Sequence, residues 1–440
     1  MKNSITMEQL LIHLDFFNDP KLKTTADLKS IKYSRRIVEI LEQQIQPDYF
    51  YDFNGKPIVI FKAFDFNNSD QIDEFIRKIR NFNESPVVFI VLPNEIKIYN
   101  GYLFDRSRKN IIKEKITSLN DSIFDNLKKL DIISGGIFEP QNPISKYYHN
   151  CKRVDEQLLQ NLEVARGLLI ESGLEEVYAN NLLGRCLFVQ YLIDRKALSN
   201  IPNREAFLAI VTNKPSLYQL FDYLKQKFNG DMFPVTPEEY SEVTPKHLRI
   251  LDRLFSSEEL STGQLSLFDM YDFSIIPVEL ISNIYERFLS RKSKQENKAF
   301  YTPLFLVDYI LCQTLDEILE HKNSLDIKIM DPSCGSGVFL VESFRRLYSA
   351  WYDKNPNASK ETCAEILKSI LQNCIYGVDI TEASIDVAIF SLYIATLDYL
   401  EPKDIESNGF IFPVMKNRTL YVSDIFDENN EFNYIFKNIR

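Results

Sequence analysis

No two cysteines of this chain are close enough in sequence to form a Cys-x-x-Cys pair. The six (Cys151, Cys186, Cys312, Cys334, Cys363 and Cys374) are scattered through 440 residues, so neither a zinc frame nor a disulfide scaffold is expected, and the usage fits a reduced compartment. Also absent are any apolar run near the roughly 18–20 residues that span a bilayer and an apolar signal segment at the N-terminus. The expected location is cytoplasmic, with no membrane contact. Positive charge is in short supply: 51 Lys and Arg against 62 Asp and Glu leave a net charge of −11. Proteins that depend on phosphate contacts show a basic face, and residues 301–440, with 12 basic and 21 acidic side chains, offer little to build one, whereas residues 1–150 balance at 21 and 20. The local basic clusters Arg106-Ser107-Arg108-Lys109 and Arg291-Lys292-Ser293-Lys294 read as solvated loops. No internal repeat or low-complexity tract is visible.

What is present is an ordinary globular composition, 45% apolar and 26% charged, at a length that suits two or three domains. Residues 1–140 alternate strand-like and helix-like segments: a polar helix near 31–45, a strand over 57–63, a helix over 71–82, and strands over 86–93 and 95–99. Residues 141–297 show helical periodicity at 158–172, 178–196 and 277–289, and the polar, charged stretch 290–297 reads as a linker. Residues 298–440 have the order of an open doubly wound sheet. Strands are expected at 327–330, 374–378 and 419–422, with helices over 338–351 and 361–372.

The first strand-to-helix corner carries Asp331-Pro332-Ser333-Cys334-Gly335-Ser336-Gly337-Val338-Phe339-Leu340. Gly335 and Gly337 remove Cβ where backbone turns tightly and approaches a ligand, and an acid at the strand tip holds a ligand's polar or cationic group. The bland alternative is a tight turn with no ligand. Asp379 ends the second strand, where a carboxylate accepts from a ribose hydroxyl pair. It follows Asp331 by 48 residues, against roughly 20 in a dinucleotide-binding unit, which argues against a dehydrogenase. Ser423-Asp424 ends the third strand and puts another acceptor at the same edge, where an exocyclic amine can be read.

Four segments in this order, Phe300-Tyr301-Thr302-Pro303, 331–340, Gly377-Val378-Asp379-Ile380 and Ser423-Asp424-Ile425-Phe426, resemble the S-adenosylmethionine half of bacterial N6-adenine DNA methyltransferases. The similarity is to the large Eco57I-like, type IIG methylases of restriction-modification systems, and it extends upstream through 181–185, 191–195, 228–231 and 276–289. The resemblance implies that Tyr301, Thr302 and Pro303 border the methionine end of the cofactor, with Asp331, Pro332, Ser333, Cys334, Gly335 and Gly337 around its amino acid portion. It implies that Asp379 holds the ribose, that Ile380 packs on the adenine, that Asp424 with Ile425 lies at the adenine amine, and that Phe339 packs near the cofactor. The implied fold is α/β and multidomain: a degenerate nuclease-like α/β domain, a helical connector, and a truncated Rossmann-like methyltransferase sheet. The implied partner is double-stranded DNA.

The same resemblance implies a catalytic Asn-Pro-Pro-aromatic segment after the next strand, where an amide oxygen accepts from the adenine amine and a ring stacks on the flipped-out base. The expected strand is 432–436, and Lys437-Asn438-Ile439-Arg440 follows it; Asn142-Pro143 and Asn355-Pro356 are each followed by the wrong residue. We therefore expect a chain that holds the methyl donor and needs a second polypeptide for transfer. The alternative is a non-catalytic cofactor-binding scaffold or sensor in a defence complex.

In fused relatives the first domain is a nuclease that binds Mg²⁺ through an Asp and a Glu-x-Lys on adjacent strands. Here Lys62 is present but Ile60 stands where the acid belongs, with Asp52 and Asp65 nearby, so a non-cutting domain and no metal site are expected. Arg185, Asp194 and Arg195, within an apolar helical pattern, read as an ion-pair network inside a helical spacer.

Overall fold

The computed structural model describes residues 5–31, 33, 35–53, 55–103, 111–149, 153–228, 235–256, 271–276, 302, 304–400 and 410–426. The readings at Tyr301, Pro303, Arg106 to Lys109, 229–231, 277–297 and 432–436 lie outside these residues. The chain packs as two units, Met1–Leu158 with Asp269–Ile276, and Leu159–Phe268 with Pro277–Arg440.

The first unit is built on a six-stranded sheet whose spatial order follows the sequence: β1 (Leu22–Lys23), β2 (Tyr49–Phe53), β3 (Lys56–Ala63), β4 (Val87–Val91), β5 (Ile96–Asn100) and β6 (Ile111–Ile116). Neighbours are antiparallel except β3 and β4. That parallel pair needs a crossover, which helix Ser69–Phe82 supplies. Asn68 starts this helix by accepting from the amides of Asp70 at 3.1 Å and Gln71 at 3.4 Å, and Asn83 ends it in the left-handed region. Ile72, Phe75, Ile76, Ile79 and Phe82 recur at helical spacing and are buried. All five residues of β4 are buried, as befits a central strand covered on both faces. Alternation along β3 and β4 sends Val59, Phe61, Val87 and Phe89 into one apolar cluster and Ile60, Val88 and Ile90 into another. Segment 271–276 completes the second cluster: Ile275 is fully buried in it, and the Asp272 amide donates to Asn81 Oδ1 at 2.9 Å.

The second unit combines helices with a small parallel sheet. Its helices include Glu176–Asp194, Arg204–Val211, Lys214–Phe228, Pro237–Glu242 and Pro245–Phe255. Leu304–Leu311 then continues through a π turn, Cys312–Asp316, into Glu317–His321. Strands β7 (Ile329–Asp331), β8 (Ile375–Asp379) and β9 (Leu420–Val422) pair in that order, all parallel, with Asp331 opposite Gly377 and Asp379 opposite Val422. Helices Val338–Lys354 and Lys360–Asn373 join β7 to β8, and Glu382–Leu397 joins β8 to β9.

The buried Arg185 and the half-buried Arg195 divide their partners. Arg185 donates to the buried Glu239, which also accepts from Tyr218 Oη at 2.9 Å. Arg195 departs from the expected spacer network: its Nη2 lies 2.7 Å from Asp398 Oδ1, just past helix Glu382–Leu397, and Asp398 Oδ2 accepts from Arg345 at 3.1 Å. Asp194 accepts from Gln190 Nε2 at 2.6 Å. The helical segment therefore attaches to the strand-bearing segment through charge as well as apolar packing. Among the described residues no helix is long and apolar enough to cross a membrane.

Candidate functional site

Three parallel strands end at one edge, and each end brings an acid: Asp331 on β7, Asp379 on β8 and Asp424 just beyond β9. The turn after β7 closes over this edge. The Cys334 amide donates to the Val378 carbonyl at 2.9 Å and the Gly337 amide to the Cys334 carbonyl at 2.8 Å, so the turn is fastened to β8 before helix Val338–Lys354 begins. Both glycines take positive φ, +51° at Gly335 and +85° at Gly337, conformations that cost other residues steric strain. Their surroundings differ. A Cβ at Gly335 would meet nothing within 4 Å, whereas one at Gly337 would lie 3.0 Å from Ala388 Cβ. Gly337 therefore serves packing against helix Glu382–Leu397, and Gly335 leaves backbone bare beside open space.

Asp379 ties the turn to the second strand. Its Oδ2 accepts from the Gly335 amide at 3.0 Å and its Oδ1 from the Thr381 amide at 2.9 Å. Each oxygen keeps acceptor capacity for a ligand hydroxyl. Asp331 accepts from the Ser333 amide at 3.0 Å. Burial raises the Asp331 carboxyl above the usual carboxylate range, the Asp379 charge adds to the rise, and the Ser333 hydrogen bond opposes it. Burial, with Asp331 and Asp379 close by, likewise pushes the Cys334 thiol well above its ordinary value, so Cys334 is a packed thiol rather than a nucleophile.

The remaining residues take distinct positions. Pro332 and Ser333 are exposed on the turn, and Phe339 is half-buried in the first turn of its helix. Ile380 is 64% exposed, an apolar side chain held in the open directly after the β8 acid. Asp424 is exposed, its Oδ1 accepting from the Phe426 amide at 2.9 Å, and Ile425 packs on Val378 and Tyr421. Thr302 is half-buried. Among the described residues no group of His, Cys, Asp or Glu is arranged to hold a metal ion.

In the first unit the acid beside Lys62 is Asp48, which the sequence reading passed over. Lys62 Nζ lies 3.3 Å from Asp48 Oδ1 and donates to the Gln46 carbonyl at 2.7 Å, while Asp48 Oδ2 accepts from the Ala63 amide at 2.6 Å. Asp52 instead accepts from Tyr33 Oη at 2.7 Å. The signal lay in hairpin register: Tyr49 pairs with Phe61, which places 48 opposite 62, but a register shift between Tyr51 and Asp52 hides this from simple counting.

With this geometry in view, residues 278–439 match the family model described as N-6 DNA Methylase, which bears out over that segment the resemblance drawn from the four motifs. The type II restriction enzyme and methyltransferase RM.Eco57I of Escherichia coli is 25% identical over 190 residues, 37% of this chain and 19% of that protein. The adenine-specific methyltransferase PglX of Streptomyces coelicolor is 28% identical over 109 residues, 25% of this chain and 9% of that protein. The chain thus spans a fifth or less of the length of these relatives. Among solved structures, the type IIG restriction endonuclease BpuSI aligns with 86% of this chain and 38% of its own at a TM-score of 0.35 and 14% identity. The DrdV–DNA complex aligns with 90% and 36% at a TM-score of 0.33 and 11% identity.

Proposed function

We propose, from the N-6 DNA methylase match of residues 278–439, that the edge bearing Asp331, Asp379 and Asp424 binds S-adenosylmethionine for adenine-N6 methylation of double-stranded DNA in a restriction-modification or phage-defence system. The observation that carries the reading is the convergence of three strand-end acids on a turn whose Gly335 backbone faces open space. The chemistry fits the ligand. Asp331 and the Gly335 turn suit an ammonium and carboxylate, Asp379 a ribose diol, exposed Ile380 one face of a purine, and Asp424 with Ile425 its amine. Thr302 and Pro303 then border the methionine end, and Phe339 the reacting end. When bound, the cofactor supplies an electrophilic sulfonium methyl; this chain's residues bind and orient it.

Transfer to adenine needs an acceptor segment of the Asn-Pro-Pro-aromatic kind, and the 440 residues contain no two consecutive prolines. In this reading that segment, with the DNA-recognition elements, comes from a second polypeptide or from further chain. Calorimetry with S-adenosylmethionine and a tritium methyl-transfer assay on unmethylated DNA test the two halves. We expect saturable binding without transfer. Transfer by these 440 residues alone would refute the incompleteness, and a folded sample that binds no S-adenosylmethionine would refute the site.

We also propose that the first unit does not cut DNA, because the position two residues before Lys62 is Ile60, fully buried in an apolar cluster. Mg²⁺-dependent nicking of plasmid by the chain, abolished by Asp48→Ala, would overturn this.

A further inference from the structure

Arg346 lies on helix Val338–Lys354 and reaches across to the helical run that begins at Leu304. Its Nη2 donates to the Asp308 carboxylate and, at 3.5 Å, to the Asp308 carbonyl; its Nη1 donates to the Asp316 carboxylate and lies 3.7 Å from Cys312 Sγ. Asp308, Cys312 and Asp316 recur every four residues, one row along that helical run. The adjacent row, Val307, Leu311 and Leu315, is buried. One planar guanidinium thus spans about two turns of a neighbouring helix, which the point charge of a lysine cannot do. The apolar row supplies adhesion, and the arginine fixes how far one helix slides along the other.

That register matters because of where the two helices start. Helix Val338–Lys354 leaves the C-terminal end of β7, and the run from Leu304 leads, after His321 and the short turn Ser324–Asp326, to the N-terminal end of β7. Both therefore run opposite to β7 and parallel to each other. Arg346 stands about 12 Å along its helix from Val338, and Asp308 and Asp316 stand about 6 and 18 Å along theirs from Leu304, a midpoint of about 12 Å. By this count the Arg346 contact lies about as far from Leu304 as from Val338, with Thr302 two residues before the one and the glycine turn immediately before the other.

We propose that Arg346 is a positioning residue: by bridging Asp308 and Asp316 it fixes Thr302 against the Gly335 turn and so shapes the grip on the methionine end of S-adenosylmethionine. The proposal rests on the cofactor reading above. It is tested by calorimetry on the full chain with two ligands, S-adenosylmethionine and 5′-methylthioadenosine, which keeps the adenosine and thioether but lacks the amino acid portion. Arg346→Gln is expected to weaken S-adenosylmethionine binding roughly tenfold, the scale of one lost charge-assisted contact, and to leave 5′-methylthioadenosine binding unchanged. Arg346→Lys, which holds one acid at a time, and Asp308→Asn, at an exposed position that leaves folding intact, should fall between wild type and Arg346→Gln. Equal loss for both ligands would show a general structural role and overturn the proposal, as would variants that bind S-adenosylmethionine like wild type. A wild-type chain that binds neither ligand would overturn the cofactor reading, and this proposal with it.

Discussion

Gly337 begins helix Val338–Lys354 with φ of +85° while its α-carbon faces Ala388, whose Cβ and Cα would lie 3.0 and 3.1 Å from an added Cβ. Gly337→Ala therefore meets both strain and contact, and we expect a loss of about 2–3 kcal/mol in stability, read from the denaturation midpoint. Asp331 carries a second prediction. Its carboxyl is held above the usual carboxylate range because it is partly desolvated and lies near Asp379. Since the carboxylate is the form that receives an ammonium, S-adenosylmethionine affinity should fall on acidification, starting at a higher pH than an ordinary aspartate would give; Asp331→Asn should remove that step. The sign for folding is opposite. A charged, half-buried Asp331 is a cost above its folded-state pKa that protonation relieves, so Asp331→Asn should raise the melting temperature of the ligand-free protein at neutral pH. A lower melting temperature would refute the assignment. Both residues were legible in the sequence, because a strand tip followed by Gly-x-Gly needs no tertiary information. The reach of Arg346 was not, since its two acids lie 30 and 38 residues away on another helix.

Helix Glu382–Leu397 escaped the sequence reading for a physical reason. Twelve of its residues are buried, on every side, so it lacks the apolar-polar alternation by which a surface helix announces itself. Its buried hydroxyls find acceptors: Ser391 donates to the Val387 carbonyl at 2.7 Å and Thr396 to the Leu392 carbonyl at 2.8 Å within the helix, and Tyr393 to the Pro413 carbonyl at 2.7 Å beyond it. Helices with one wet face, such as Lys360–Asn373, fall close to their expected bounds. Asp398, immediately after the buried helix, accepts from both Arg195 and Arg345 while itself nearly inaccessible. Asp398→Ala removes the acid that Arg195 and Arg345 share, while Arg345 keeps Glu342 at 2.8 Å and Arg195 keeps the Leu397 carbonyl at 3.2 Å, so the loss should fall toward the lower end of the roughly 3–5 kcal/mol typical of breaking a buried pair. Fluorescence of Trp351, the sole tryptophan and buried in the second unit, should report that loss as an earlier unfolding transition. A shift under about 1 kcal/mol, the range of exposed ion pairs, would show that the network contributes little.

The whole chain folds into units that do not follow sequence order, because segment 271–276 returns to the first unit after more than a hundred residues spent in the second. Ile275 is fully buried there among Phe50, Ile60 and Ile79. Ile275→Ala should destabilise the first unit by about 2–5 kcal/mol, visible by circular dichroism, while the Trp351 transition stays in place. Movement of both transitions together would mean that the units unfold as one. The sequence by itself determined the local grammar of this protein: the strands with their acid tips, the glycine turn, and the order of motifs that matches an N-6 DNA methylase segment. Such signals reside in neighbouring residues and survive without a fold. Only the tertiary structure decided that Asp48 rather than Asp52 meets Lys62, that Arg195 reaches Asp398, that Arg346 spans two acids, and that 271–276 completes the first core. Those pairings depend on strand register and helix packing, which are set by burial summed over the whole chain rather than by any stretch of it.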